Sequence, residues 1–232
     1  MTAPVITVDG PSGSGKGTVS RVLADVLGWH LLDSGALYRL TALSAAQKGV
    51  ADDDVAALAT VAQALSVVFG TDDQGNERVL LDGEDVSTAI RTESCGERAS
   101  IIAALPAVRE ALVDRQRAFA QAPGLVADGR DMGTRIFPDS GLKVFLTASA
   151  EERADRRYKQ LKEKGIDVNV ATLLRDIEQR DRRDQSRQAA PLKPADDAVV
   201  IDSTSMSVDA VVDTVLALKN ARLGLGALVA PD

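Results

Sequence analysis

The segment 4–18 constrains the fold most, because a short apolar strand runs directly into a glycine-rich turn and then a helix. Residues 4–9 are mainly apolar and β-branched, as in a buried parallel strand. Residues 10–16 read GPSGSGK, and from Val19 onward apolar side chains recur at helical spacing. A strand, a turn of this composition and a helix form the context in which a glycine-rich loop binds phosphate.

The turn has the chemistry that a nucleoside triphosphate requires. Glycines let the backbone approach a ligand, and the unpaired amides at the helix start attract phosphate oxygens. The lysine can reach the β- and γ-phosphates, whereas the hydroxyl that usually follows it comes one residue later. The residues predicted to bind the triphosphate are Gly10, Pro11, Ser12, Gly13, Ser14, Gly15, Lys16, Gly17 and Thr18.

Aspartates end several of the predicted strands. Asp9, Asp33 and Asp128 each follow an apolar segment, and the carboxyl ends of parallel strands meet at the edge where α/β proteins bind ligands. A carboxylate in this position commonly faces Mg²⁺ or its water shell. We therefore predict a magnesium site at Thr18 and Asp128, with contact made directly or through water.

The order of the elements predicts an α/β fold with a parallel sheet, since strands and helices alternate through most of the chain. The rhythm changes at 67–69 and 78–81, two strand-like segments separated by turn-forming residues. We interpret residues 60–100 as an insertion that carries a small antiparallel patch.

Two highly charged helices are predicted after residue 150. The first carries Arg153, Arg156 and Arg157 on a shared face, and the second presents Arg180, Asp184 and Arg187 at i, i+4 and i+7. Two interpretations are open at this point. The arginines bind phosphates, or the helices are solvated and held by surface ion pairs.

Composition favours a small ligand. The net charge is −7 and aromatic residues make up 3% of the chain, which disfavours a nucleic-acid polymer as partner. Cys95 is the only cysteine, so no intrachain disulfide forms and a reducing compartment fits. No apolar segment reaches membrane-spanning length and no signal peptide is recognisable, so we expect a cytoplasmic protein.

The reaction class follows from what accompanies the loop. The guanine-reading segment Asn-Lys-x-Asp of regulatory GTPases is absent, and the length suits a metabolic kinase. Arginines stabilise the charge that spreads over the transferred phosphoryl group. An acceptor that is itself a phosphate needs no general base, which agrees with His30 being the only histidine and lying outside the motifs.

Five segments together resemble one family. Residues 9–18 (DGPSGSGKGT), 32–39 (LDSGALYR), 127–134 (ADGRDMGT), 180–184 (RDRRD) and 190–192 (APL) are similar to those of the bacterial cytidylate kinases, phosphate-loop nucleoside monophosphate kinases. The likeness runs from about residue 4 to residue 222, and it accounts for Gly17, because these kinases commonly carry Gly-Lys-Gly-Thr.

The resemblance implies a reaction and an architecture. The reaction is ATP + (d)CMP giving ADP + (d)CDP with Mg²⁺, by direct in-line transfer. The architecture is a five-stranded parallel sheet flanked by helices, with a small antiparallel β insertion and a helical lid. The implied parts are a core at 1–33, 105–150 and 190–222, a monophosphate-binding part at 34–104, a lid at 151–188 and a loose tail at 223–232.

The resemblance also assigns roles, residue by residue. The CMP phosphate is expected at Ser34, Arg39, Arg130 and Arg187. The cytosine edge is expected at Ser100, Arg109 and Asp131, and the ribose and bound phosphate at Tyr38, Arg180 and Asp184. Residues expected to act in catalysis are Lys16, Arg130, Arg153, Arg157 and Arg180, with Arg153 and Arg157 closing on the triphosphate.

Two alternatives are open. One is a phosphate-loop kinase for another small acceptor, such as UMP or AMP, and the other is a nucleotide-sensing module without catalysis. The intact Lys16 and the paired arginines favour a kinase. We expect a monomer whose partners are ATP and CMP or dCMP.

Overall fold

The computed structural model describes residues 3–71, 74, 77–163 and 165–223. The chain divides into two compact units. Unit 1 comprises Met1–Asp33 and Gln116–Asp232, and unit 2 is Ser34–Arg115. The predicted division into core, monophosphate-binding part and lid stays a prediction, and all but the first residue of the expected tail lies outside the described residues.

The chain forms eight strands and eight α-helices within the described residues. The strands are β1 (Val5–Asp9), β2 (His30–Asp33), β3 (Val67–Thr71), β4 (Glu77–Leu81), β5 (Glu84–Asp85), β6 (Leu125–Gly129), β7 (Leu142–Thr147) and β8 (Val199–Asp202). The helices are α1 (Lys16–Leu27), α2 (Ser34–Gln47), α3 (Val55–Gln63), α4 (Glu93–Ile102), α5 (Pro106–Arg117), α6 (Ala150–Glu163), α7 (Val170–Ser186) and α8 (Val208–Leu223).

Unit 1 is built on a parallel sheet with the strand order β2-β6-β1-β7-β8, which confirms the predicted five-stranded sheet. The strands β1 and β6 are buried along their whole length, because they lie inside the sheet and are apolar on both faces. Their register pairs Asp9 with Gly129, and Asp33 pairs with Asp128. The predicted aspartates therefore end neighbouring strands at the carboxyl edge.

The helix α1 packs against the sheet beside this edge. Its apolar residues Val19, Leu23 and Leu27 pack with the sheet in a core that includes side chains from α8. Gly28 ends the helix in the left-handed conformation, with φ 62°, and its N–H bonds Asp25 O. Because the helix begins at Lys16 and β1 ends at Asp9, the loop between them lies at the carboxyl edge of the sheet.

Unit 2 contains α2 to α4, most of α5 and the antiparallel sheet β3-β4-β5, which confirms the predicted β insertion. The helix α4 begins at Glu93, where the Thr92 hydroxyl caps it by accepting from Cys95 N. Within the described part of the chain, no helix has the length and apolarity to span a membrane.

We expect Gly10→Ala to destabilise the protein by about 3 kcal/mol, through overpacking against backbone. An added Cβ would lie 2.0 Å from the carbonyl oxygen of Leu146 in β7, and the residue has φ +155°. Urea unfolding of the variant measures the effect. Gly70→Ala is the matched control, since nothing lies within 4 Å of its added Cβ. Equal unfolding midpoints for the two variants would contradict the expectation.

Candidate functional site

The loop between β1 and α1 forms the first part of the site. Gly15 caps α1 with φ 88°, a left-handed conformation that favours glycine and turns the backbone into the helix. The first amides of α1 have no intrahelical acceptor, so this loop and helix start form an anion-binding end in unit 1. Pro11 and Ser14 are buried in the loop, whereas Gly17 and Thr18 are exposed.

Lys16 is only 9% exposed, and its Nζ donates to Pro11 O at 3.0 Å. Burial and the positive charge of Arg130 lower the pKa of Lys16 to about 8, although Asp128 and Asp184 oppose the shift. The ammonium is therefore held at an electrostatic cost inside the loop. Added negative charge from a phosphate would relieve that cost.

Asp128 ends β6 beside the loop and is 7% exposed. Burial raises the pKa of its carboxyl group to about 7; Lys16 opposes this shift and Asp33 adds to it. Its Oδ1 is buried without a hydrogen-bond partner in the described part of the chain. A Cβ added at Gly17 would lie 3.3 Å from Oδ2, which explains why glycine replaces the usual hydroxyl residue at that position.

The pair formed by Thr18 and Asp128 fits a magnesium ion that is bound mainly by phosphates and water. Mg²⁺ in such sites usually takes one or two carboxylates and keeps several waters. The buried Asp128 oxygen is a suitable anionic ligand or water acceptor, and Thr18 lies on the exposed side of the first helical turn. Among the residues that the structure describes, no three His, Cys, Asp or Glu side chains form a metal-binding group.

A buried ion cluster forms the second part of the site in unit 1. Asp184 on α7 is fully buried, and its two oxygens accept hydrogen bonds from Arg130 and Arg187. Burial by itself would raise the pKa of Asp184, but Arg130 and Arg187 lower it below its ordinary value. Arg180 contributes to the same lowering. The interpretation of α7 as a solvated helix is wrong at Asp184.

The structure adds a partner to the predicted face of α7. The sequence pattern places Asp184 between Arg180 and Arg187, and both arginines lower the pKa of Asp184. Arg130, after β6, also donates a hydrogen bond to the same carboxylate. Burial by itself would lower the pKa of the Arg130 guanidinium, but its pairing with Asp184 outweighs burial and raises that pKa. Helical spacing cannot predict this contact, because Arg130 belongs to another element of the fold.

The arginines of α6 contact the loop in an unpredicted way. Arg153 is 4% exposed and donates to Ser12 O at 3.0 Å, to Ala148 O at 3.0 Å, and to both carboxylate oxygens of Asp181 at 3.0 and 2.5 Å. The expectation that it closes on the triphosphate stays untested. Arg157 donates to Gln160 Oε1 at 3.2 Å on the same helix.

Sequence reasoning missed two further groups at the loop. Arg156 donates to Ser14 O at 3.3 Å and to Ser203 O at 2.7 Å, and the Ser203 hydroxyl bonds Ser14 O at 3.2 Å. The sequence signal for Arg156 was its spacing from Arg153, which places both residues on one face of the helix. No local signal exists for Ser203, because its partner is far away in the chain and is a backbone oxygen.

Asp9 is the third residue to which the sequence assigned no role. Its carboxylate accepts from Met132 N and Gly133 N, each at 2.8 Å, in the turn that follows Asp131. Burial raises the pKa of Asp9 to about 7 although those two hydrogen bonds oppose the shift. Asp131 itself is 3% exposed, directly before this turn.

Unit 2 holds the remaining candidates on three helices. Ser34, Tyr38 and Arg39 lie on α2, Ser100 on α4 and Arg109 on α5. The guanidinium of Arg109 lies 5.6 Å from the ring centroid of Tyr38 and donates to Ala103 O at 3.0 Å.

Arg39 passes between helices of unit 2. It donates to Ile90 O at 2.8 Å and to Thr92 O at 3.3 Å. A Cβ added at Gly96 on α4 would come within 2.9 Å of its guanidinium, so glycine there makes room for it. Ser34 and Ser100 are 4% and 3% exposed.

Comparison with known proteins gives consistent matches. A family model described as cytidylate kinase matches residues 6–221. The cytidylate kinase of Aeromonas hydrophila is 60% identical over 222 residues, 96% of each chain. That of Pseudomonas paraeruginosa is 60% identical over 92% of this chain and 93% of its own. An uncharacterized protein from Eubacterium ventriosum aligns over 94% of this chain and 99% of its own, with a TM-score of 0.50 and 12% identity, and indicates a shared fold alone.

We expect Asp184→Asn to destabilise the protein by about 3 kcal/mol at neutral pH, because it leaves the guanidinium groups of Arg130 and Arg187 without their buried carboxylate. The pKa of Asp184 is lowered in the folded state, so its stabilisation is present above the ordinary value near 4 and is lost as the pH falls below it. Urea unfolding from pH 3 to 7 should show the variant and the native chain converging at the acid end.

The control for this prediction is Asp85→Asn, which removes an exposed carboxylate 3.0 Å from Arg78. Exposed pairs contribute little, so its unfolding midpoint should stay close to that of the native chain. A similar, small change in both variants would mean that the Asp184 cluster does not stabilise the fold.

Proposed function

Because this chain belongs to the cytidylate kinase family, we propose that it converts CMP and dCMP to CDP and dCDP with ATP as the phosphoryl donor. Family membership supports phosphorylation of a nucleoside monophosphate. The donor, the direct in-line course and the individual residue roles are our proposals, argued below from the charges and contacts of each unit.

One observation in unit 1 carries the proposal. Burial lowers the pKa of Lys16, in the glycine-rich loop, and the charges of Arg130, Asp128, Arg180 and Asp184 act on it as well. The phosphate-directed lysine therefore lies within the electrostatic field of the arginine cluster. Phosphoryl transfer places negative charge on three equatorial oxygens, and fixed positive groups around that position stabilise the transition state.

The proposed step is a single displacement. An ionised oxygen of the CMP phosphate attacks the γ-phosphorus of ATP, and the bond from that phosphorus to the β,γ-bridging oxygen breaks as the new P–O bond forms. The products are ADP and CDP. Because the attacking oxygen already carries negative charge at neutral pH, the step needs no general base. Lys16 stabilises the charge on the transferred group, with Arg130 and Arg180 on the acceptor side.

The magnesium ion fits the residues present at Thr18 and Asp128. When bound, Mg²⁺ neutralises charge on the β- and γ-phosphates. The buried Oδ1 of Asp128 would hold it directly or through a water, together with the Thr18 hydroxyl on the first turn of α1. Gly17 keeps the carboxylate of Asp128 close to the loop, since a side chain there would press on Oδ2.

The proposed CMP ligands divide between the units. In unit 1, Arg130 and Arg187 bind the acceptor phosphate, Asp131 accepts from the cytosine amino group, and Arg180 and Asp184 lie toward the bound phosphate and the ribose. In unit 2, Ser34 and Arg39 are proposed to bind the acceptor phosphate, and Ser100 and Arg109 to read the cytosine edge. Tyr38 is proposed to lie at the ribose and bound phosphate.

Coupled assay of ADP release tests the proposed function. The native chain should turn over CMP and dCMP faster than UMP, AMP or shikimate. Lys16→Ala should lower kcat by at least about 100-fold, because it removes a charge that acts on the transition state. Lys193→Ala, at an exposed lysine, is the control and should leave kcat unchanged. Preference for another acceptor, or a folded Lys16→Ala variant with most of its activity, would contradict the proposal.

Base selectivity is expected to depend on Asp131. Cytosine presents an amino donor where uracil presents a carbonyl acceptor, and a carboxylate accepts from the first and repels the second. Asp131→Asn should therefore lower kcat/KM for CMP and shift the CMP-to-UMP ratio toward UMP by about 10-fold or more, the scale of a buried charged hydrogen bond. If kcat/KM for both acceptors falls by the same factor, Asp131 does not read the base.

A further inference from the structure

The carboxylate of Asp9 has both of its oxygens occupied by backbone amides of one turn. Met132 N donates to Oδ1 and Gly133 N to Oδ2, each at 2.8 Å, across more than 120 residues of sequence. Asp9 is 5% exposed, so water does not compete for these bonds. Two charge-assisted hydrogen bonds from neighbouring amides fix both the position and the rotation of the turn.

The turn held in this way continues directly from the residues proposed to bind CMP in unit 1. Arg130 and Asp131 follow β6, and the π-helical turn Met132–Ile136 begins immediately after them. The carbonyl of Asp131 accepts from Arg135 N at 2.9 Å and from Ile136 N at 3.2 Å. The backbone on the carboxyl side of Asp131 is therefore part of the turn, and its orientation follows the turn.

The sheet confines the same turn from its other side. A Cβ added at Gly133 would lie 2.9 Å from Thr7 Oγ1 and 3.2 Å from carbon atoms of Lys143. Thr7 is on β1 and Lys143 is on β7, so the turn is packed on two neighbouring strands. Glycine at this position allows the close approach that places the amide of residue 133 within reach of Asp9.

We propose that Asp9 is a positioning residue for acceptor recognition, holding the turn after Asp131 so that the side chains of Arg130 and Asp131 are aimed at the cytidine nucleotide. Asp9 also directly precedes Gly10, the first residue of the triphosphate loop. One carboxylate thus links the backbone of the donor loop to the backbone that carries the acceptor residues of unit 1. The inference rests on the proposed function, because it assumes that Asp131 reads the base.

The position requires a carboxylate and not merely a polar residue. Two amide donors point at two acceptor oxygens, whereas an asparagine offers one acceptor and directs an NH₂ group at the second N–H. Lys16 and Asp131 are among the charged groups that act on Asp9, one favourably and one unfavourably. Keeping a charge buried in these surroundings costs free energy, and the Asp9 carboxylate in return fixes the geometry of the turn.

The test compares three substitutions in steady-state kinetics with CMP, UMP and ATP. Asp9→Asn should raise KM for CMP at least about 10-fold and lower the CMP-to-UMP ratio of kcat/KM by a similar factor, with KM for ATP changed less than about twofold. Gly133→Ala displaces the same turn from the sheet side and should give the same pattern. Thr7→Val keeps the volume beside the turn and leaves the two hydrogen bonds intact, so it is the matched control and should match the native chain.

In the double variant Asp9→Asn/Gly133→Ala, the CMP-to-UMP ratio of kcat/KM should fall no further than in the more severe single variant, because both substitutions act through one turn. Hydrogen exchange at the Met132 and Gly133 amides gives a readout that needs no substrate. Exchange should be slow in the native chain and at least about 10-fold faster in Asp9→Asn.

Each alternative outcome is decisive. An unchanged CMP-to-UMP ratio with faster amide exchange overturns the positioning role, as does a change confined to KM for ATP. If Asp9→Asn does not fold, Gly133→Ala and the native exchange rates decide the matter by the same criteria. If the native chain does not use CMP, the proposed function fails, and a normal pattern of amide protection then shows that the Asp9 contact exists without the role assigned to it.

Discussion

The site in unit 1 depends on keeping charged groups buried at the carboxyl edge of a parallel sheet. Lys16, Asp128 and Asp184 are each less than one-tenth exposed. Burial is the main cause of the pKa shifts of Lys16 and Asp128, which also act on each other, whereas Arg130 and Arg187 outweigh burial and lower the pKa of Asp184. Such an arrangement is costly in a protein without ligands. It becomes favourable when a highly charged ligand completes it, which is what a pair of nucleotide phosphates would do.

Four arginines of unit 1 have contacts that orient them at the site. Arg130 and Arg187 share a buried carboxylate, so their guanidinium groups are oriented before any ligand arrives. Arg153 and Arg156 also pair with carboxylates, and in addition they bind backbone carbonyls of the glycine-rich loop, at Ser12 and Ser14. Arg153 and Arg156 thus connect α6 to the loop, so a movement of α6 would shift the loop backbone.

Polar backbone contacts therefore matter as much as side-chain ligands in this site. The loop receives Arg153 and Arg156 on its carbonyls, while Asp9 receives the amides of the turn at 132–133. Glycines at 13 and 133 allow these approaches, because a Cβ at Gly13 would lie 3.2 Å from Arg153 Cβ and one at Gly133 would lie 2.9 Å from Thr7 Oγ1. Side chains reach their working positions only because the backbone segments beneath them are fixed in this way.

The sequence by itself determined the local features: the phosphate loop, the five strands, the β insertion and the aspartates that end β1, β2 and β6. Those signals depend on periodicity and turn chemistry within a few residues. Only the tertiary structure decided that Arg130 pairs with Asp184, that Arg153 pairs with Asp181, and that Asp9 binds the amide of Gly133. The chain contains many candidate charges of each sign, and the order β2-β6-β1-β7-β8 selects which of them meet, because it places β1 between β6 and β7.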